Sequence, residues 1–223
     1  MNYVFQFGTV LDHAPLLLNG AWSTIWMTTF GTVGGLFIAI FCVFLGATGS
    51  KCVRLLVESY VEIIRNTPFL VQLFVLYFSL PALGIRLNAD QAAVIGLSVS
   101  FGGYATEILR SGIEAVSRGQ IEAGRSLGLH RILIFRHIVL PQAIKIIYPA
   151  LSSQITILLL GSSVVSAISA TELTAISNSL QSQTFRSFEF YFVAAGMYLI
   201  MSALLKLFLN SFYWLYFIRG RNN

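Results

Sequence analysis

Long apolar runs dominate this chain, with short polar stretches between them. Five runs approach or exceed the roughly 20 residues that a membrane-crossing helix needs. They lie at about 21–46, 67–84, 91–110, 141–168 and 189–213. The second is short and bracketed by Pro68 and Pro81. The fourth carries Ser152, Ser153, Gln154 and Thr156, so it is not a plain lipid-facing helix. Residues 1–19 mix apolar and polar positions and hold no Lys or Arg. They read as an interfacial segment ahead of the first span, because a secretory signal needs a positive leading region. The pattern predicts an all-α integral membrane protein, with residues 1–223 forming one transmembrane domain.

Composition supports that class. The chain is 56% hydrophobic and 10% charged, with mean hydropathy +0.77, where a soluble domain carries about 25% charged residues. The net charge of +5 does not indicate nucleic acid, because the basic residues sit at the ends of apolar runs. Five spans put the termini on opposite sides. Taking 47–66, 110–145 and 214–223 as cytoplasmic collects Lys51, Arg54, Arg65, Arg110, Arg118, Arg125, Arg131, Arg136, Lys145, Arg219 and Arg221 on that side. The other side holds Arg86 and Arg186, and Lys206 lies within a span. Basic residues accumulate on the cytoplasmic side, so the N-terminus is expected outside and the C-terminus inside. Residues 214–223 read as an aromatic and basic anchor at the cytoplasmic interface. The two cysteines, Cys42 and Cys52, provide no disulfide or metal framework.

The cytoplasmic loop over about 111–140 contains the most unusual sequence, QIEAGRSLGLHRILIFRHIVLP at 120–141. Residues 113–127 have Ile113, Val116, Ala123 and Leu127 near one helical face. Gly128 suits the left-handed position that ends a helix. A second helical piece, 131–140, places Ile132, Leu133, Phe135 and Val139 beside Arg131, Arg136 and His137, a pattern for a helix at the membrane surface. Pro141 is expected to start the next span, where its missing N–H costs little. Small residues at the turn suit either a linker that needs Gly to turn or a surface that another backbone approaches.

The residues Glu122-Ala123-Gly124, then Gly128, then Ile138-Val139-Leu140-Pro141 resemble the EAA motif of ABC importer permeases, with Gly at the third position in place of Ala. RNTPFLVQLF at 65–74 resembles the entry to span two in the polar amino-acid permeases, the family of histidine, glutamine, glutamate/aspartate and arginine transporter subunits. The resemblance runs from Gly20 to Phe217. It implies a type I importer permease of five spans in the bacterial cytoplasmic membrane, carrying a polar or charged amino acid by alternating access. It implies a pair of ATP-binding cassette subunits, a second permease chain, identical or related, and an extracytoplasmic solute-binding protein. The loop would be the coupling helix, with Glu122, Ala123, Gly124, Arg125 and Gly128 at the ATPase. The chain has no GxxxxGK followed by Ser or Thr, the phosphate-cradling loop. ATP and Mg are therefore expected on the partner, with no cofactor bound here and no catalytic residue.

Polar groups inside a membrane usually face a cavity or a partner. The candidate substrate path combines Asn66, Thr67 and Gln72 from span two, Tyr104 and Glu107 from span three, Gln154 and Ser163 from span four, and Glu172 just beyond it. Glu107 and Arg110 are three apart and suit an ion pair, which competes with a gating role. Glu172 either meets the amino group of a substrate or faces water. Thr24, Thr28 and Thr32, with Gly31 and Gly35, form a stripe suited to close helix packing. An ATP-independent carrier or channel is the alternative, and it needs deep acid pairs or inverted repeats, which are not apparent. HExxH and GxSxG, the signatures of two hydrolase classes, are absent.

Overall fold

The computed structural model describes residues 3–215 and is all-helical across them. The anchor expected over 214–223 falls, from 216 onward, outside the described residues. A short α1 (Phe7–Asp12) leads into α2 (Ala14–Thr48), a helix of 35 residues. The expected interfacial segment is therefore largely helical and joins the first span. Pro15 sits in the first turn of α2, where proline is tolerated, and nothing between it and Thr48 breaks the helix. At 1.5 Å per residue α2 is about 50 Å long, more than the roughly 30 Å hydrocarbon core.

The second span differs from its expectation. Amphipathic α3 (Lys51–Asn66) is followed by α4 (Phe69–Phe74), a π turn at Val75–Ser79 and a 3-10 turn at Leu80–Leu83. The two parts meet at 113°. Proline forces the preceding residue out of the helical region, and Thr67 is extended ahead of Pro68. Four unbroken helical stretches are long and apolar enough to cross a membrane, and this bent pair makes a fifth when counted as one span.

The central helix is α5 (Ala89–Glu114), opened by a capping box between Asn88 and Gln91. It packs along α2, α3 and α8. The α2–α5 contact runs through the small-residue stripe. A Cβ on Gly35 would lie 2.8 Å from the Ser98 carbonyl oxygen and 2.9 Å from the Gly102 nitrogen. Met27, Leu97, Phe101 and Ala105 fill the core beside this seam.

The cytoplasmic loop holds α6 (Arg118–Ser126). The helix expected over 113–127 is split, because α5 continues to Glu114 and the chain breaks before Arg118. After the loop, α7 (Arg131–Ile134), a π turn at Phe135–Val139 and α8 (Leu140–Gly161) run on helically, followed by a 3-10 turn at Ser162–Ile168. Pro141 therefore lies inside a continuous helical path. The π turn precedes it, at the point where proline deprives the ladder of a donor. The helix α9 (Leu173–Thr184) was not expected from the apolar pattern, since its sequence is largely polar. It lies against α2 and α10 (Ser187–Tyr213). The long helices differ in burial: 61% of the most apolar stretch of α5 is buried, against 11% of that in α10.

Candidate functional site

The loop is built around a small core of its own. Val116, Ile134, Val139 and Ala143 are buried together, with Ile121, Leu129 and Ile138 packed on them. Gly124 is buried in this cluster, and a Cβ there would lie 2.8 Å from Ile138 Cδ1 and 3.2 Å from Ile134 Cγ1. Its smallness serves contact within the chain. Gly128 has φ +75° with open space around its Cβ position, so backbone conformation explains the glycine. The N–H of Leu129 donates to the Gly124 carbonyl at 3.1 Å and that of Gly128 to Arg125 at 2.9 Å, which closes the helix end. Glu122, Ala123 and Arg125 face outward. Leu127, 80% exposed, stands beside them. With Ala123 it is a member of the expected apolar face that the cluster leaves out, and only the packed turn reveals this.

A groove of about 330 Å³ lies between α3, α4, α5 and α8. Four of the expected path residues meet there: Thr67, Gln72, Tyr104 and Gln154. Two of them are largely occupied by local bonds. The Gln72 amide donates to the Ile64 carbonyl at 2.8 Å and to Thr67 Oγ1 at 2.9 Å, which braces the bend at Pro68, and Thr67 Oγ1 donates to Ile63 at 2.7 Å. The side chains of Tyr104 and Gln154 make no hydrogen bond within the described residues. Ser100 is equally unengaged and also lines the groove. It is missing from the expected set. Its four-residue spacing from Tyr104 places both on one face of α5, a signal present in the sequence. The remaining lining is apolar, including Phe69, Leu97, Phe101 and Ile157.

The other expected path residues lie elsewhere. Asn66 donates to Glu62 Oε2 at 2.8 Å. Glu107 is 2.8 Å from Arg110 and 3.9 Å from Arg65, an ion-pair cluster joining α3 to α5. Ser163 Oγ donates to the Leu160 carbonyl at 2.9 Å. Glu172 faces neither water nor the groove: its exposure is 0%. Its carboxylate caps α9, accepting from the N–H groups of Ala175 (2.6 Å) and Thr174 (2.9 Å) and from the Tyr198 hydroxyl (2.5 Å). Burial pushes this carboxyl above its usual range, and the three donors act in the other direction. An acid next to a predicted span looks like a ligand group until the capping geometry is known.

Helices able to cross a membrane, a largely apolar groove between them with a few polar side chains, and a structured loop beyond the spans are the features of a membrane permease. Residues 31–215 match the model of binding-protein-dependent transport system inner membrane components, and the chain belongs to that family. It is 32% identical over 201 residues to the probable glutamine ABC transporter permease protein GlnM of Bacillus subtilis (strain 168), covering 90% of this chain and 93% of that one. It is 31% identical over 208 residues to the glutamine transport system permease protein GlnP of Escherichia coli (strain K12), covering 92% and 95%. The fold superposes with a TM-score of 0.88 on a chain from the crystal structure of an amino acid ABC transporter with histidines, at 35% identity over 94% of this chain and 98% of that one. A chain of the MetNI methionine ABC transporter in an inward-facing conformation shares the fold, with a TM-score of 0.71, 22% identity, and 88% and 94% coverage. The chain is a multi-pass inner-membrane permease subunit of the ABC importer class.

Proposed function

We propose that the chain moves a neutral polar amino acid across the inner membrane by alternating access, paired with a second permease chain. A separate pair of ATP-binding cassette subunits drives it, holding ATP and Mg, and a solute-binding protein delivers substrate from outside. The observation that carries this reading is the chain-long similarity to two glutamine permeases and to an amino acid ABC transporter.

The groove supports the neutral substrate. Ser100, Tyr104 and Gln154 offer two hydroxyls and an amide, and among the described residues no charged side chain lines the wall. A charged substrate side chain at membrane depth would lack a counter-charge. The groove is open along one side of a single chain, and a second chain facing it would enclose the path. The loop presents Glu122, Ala123, Arg125 and Leu127 to the ATPase, with Gly124 and Gly128 shaping the turn. The bias in basic residues supports an outer N-terminus and an inner C-terminus.

The test is to purify the complex through a tag on this chain and measure ATP-driven uptake in proteoliposomes. Glutamine is expected to compete with the transported substrate while arginine and glutamate do not. The Gln154→Leu chain is expected to raise KM about tenfold, as loss of about 1.4 kcal/mol requires, with the ATPase still attached. Preference for a charged amino acid overturns the substrate assignment. A chain that purifies without an ATPase and transports without ATP overturns the coupling.

A further inference from the structure

Glu189 lies in the first turn of α10 and is fully buried. Its carboxylate accepts the hydroxyl proton of Tyr3 on Oε2 and the backbone N–H of Gln6 on Oε1 at 2.9 Å. Arg186 approaches within 3.8 Å as counter-charge and donates to the Val4 carbonyl at 3.2 Å. These bonds join residues 182 to 186 positions apart. A buried carboxylate is costly unless it is hydrogen-bonded and paired, so residues 3–6 are fastened across the start of α10.

This strap builds a depression. Tyr3 meets Phe188 edge-on with ring centroids 5.2 Å apart, and Phe7 meets Phe192 at 6.4 Å. Phe5, Phe7, Ser187, Phe188, Tyr191 and Phe192 border an open apolar depression of about 620 Å³, within the size of small-ligand sites. Among the described residues, the polar side chains that line it are engaged: Ser187 Oγ donates to Gln181 at 2.8 Å and the Tyr191 hydroxyl to Asn178 at 2.9 Å. Both hydroxyl protons are spent, so the described lining is mainly carbon and offers an amino acid or a peptide backbone little to bond.

The depression is continuous with the outward face of α10, the least buried of the four long helical stretches, where Phe192, Leu199 and Ile200 are exposed. Aromatic rings at the end of a span belong to the membrane–water interface. We propose that residues 3–7 and the start of α10 form a site for one phospholipid acyl chain, assembled by the Glu189 fastening.

The experiment incorporates a phospholipid with a photoactivatable diazirine on its acyl chain into proteoliposomes of the full transporter. Labelled residues are mapped by peptide mass spectrometry. Labelling is expected on Phe5, Phe7, Phe188 and Phe192 several-fold above that on Leu199 to Leu207 of the same helix. Glu189→Ala is expected to lower it to the level of the rest of α10. Phe5→Ser, which removes part of the wall and keeps the fastening, is expected to lower it partly and serves if Glu189→Ala does not assemble. Even labelling along α10, or enrichment that neither variant changes, overturns the proposal. Labelling present in the isolated chain and lost in the assembled transporter also overturns it, assigning the depression to a protein partner.

Discussion

At the residue scale, two side chains of the same type have opposite environments. Glu107 is part of an ion-pair cluster with partly exposed members, and such pairs contribute little, about 0–1 kcal/mol. Glu172 is sealed in and satisfies two helix-end N–H groups and a hydroxyl. Glu172→Ala is expected to cost about 1–3 kcal/mol, because the freed donors remain buried. Glu172→Gln is expected to cost less, since one amide oxygen still accepts. Apparent Tm in detergent separates the two. An unchanged Tm for Glu172→Ala with lost uptake would return Glu172 to a substrate role. Gly35 is the second sensitive point. The backbone of α5 fills the space its side chain would occupy, so Gly35→Val is expected to lower stability by about 1–3 kcal/mol through overpacking. The yield of folded protein and Tm would report it.

At the element scale, the decisive features are interruptions. Pro68 divides the second span into two helices at 113°, and Gln72 then bonds back to Ile64 and Thr67 to brace the corner. Gly128 ends α6 in the left-handed region. Gly128→Ala is expected to cost about 1–2 kcal/mol, the penalty of that conformation for an L-residue. Because the turn orients Leu127 and Arg125, coupled ATPase activity should fall more than protein yield. Gly128→Asn should recover much of it, since Asn tolerates the same conformation. Equal coupling in all three chains would separate the turn from coupling.

At the scale of the whole molecule, the bent pair determines the topology. Counted as one crossing, it gives five spans and termini on opposite sides. Single cysteines at exposed Arg86 and Lys51, which flank the bent pair, in a chain with Cys42 and Cys52 replaced, are expected to react with an impermeant maleimide from outside and inside respectively. Reaction of both from one side would contradict the five-span arrangement. Both positions are exposed and lie outside the cores of the long helices, so the substitutions should not disturb packing.

The sequence by itself determined the class, the approximate spans and the location of the loop. Each depends on composition and period along the chain: about 20 apolar residues to cross a bilayer, basic residues at span ends, and glycine where φ must be positive. The helix α9 was hidden because its stability comes from packing on α2 and α10, with no apolar run to reveal it. The lining of the groove was only partly legible. Tyr104 and Gln154 stood out as polar residues in spans, but Asn66, Ser163 and Glu172 did so equally. What separated them was which hydrogen bonds were already made inside the chain. For Asn66 and Ser163 the partners lie three or four residues away, and for Glu172 the N–H groups of the next helix turn are joined by the distant Tyr198, geometry that appears only once the helix ends are built and packed. A polar residue in a membrane needs a partner, and only the tertiary structure decides whether the chain itself supplies it.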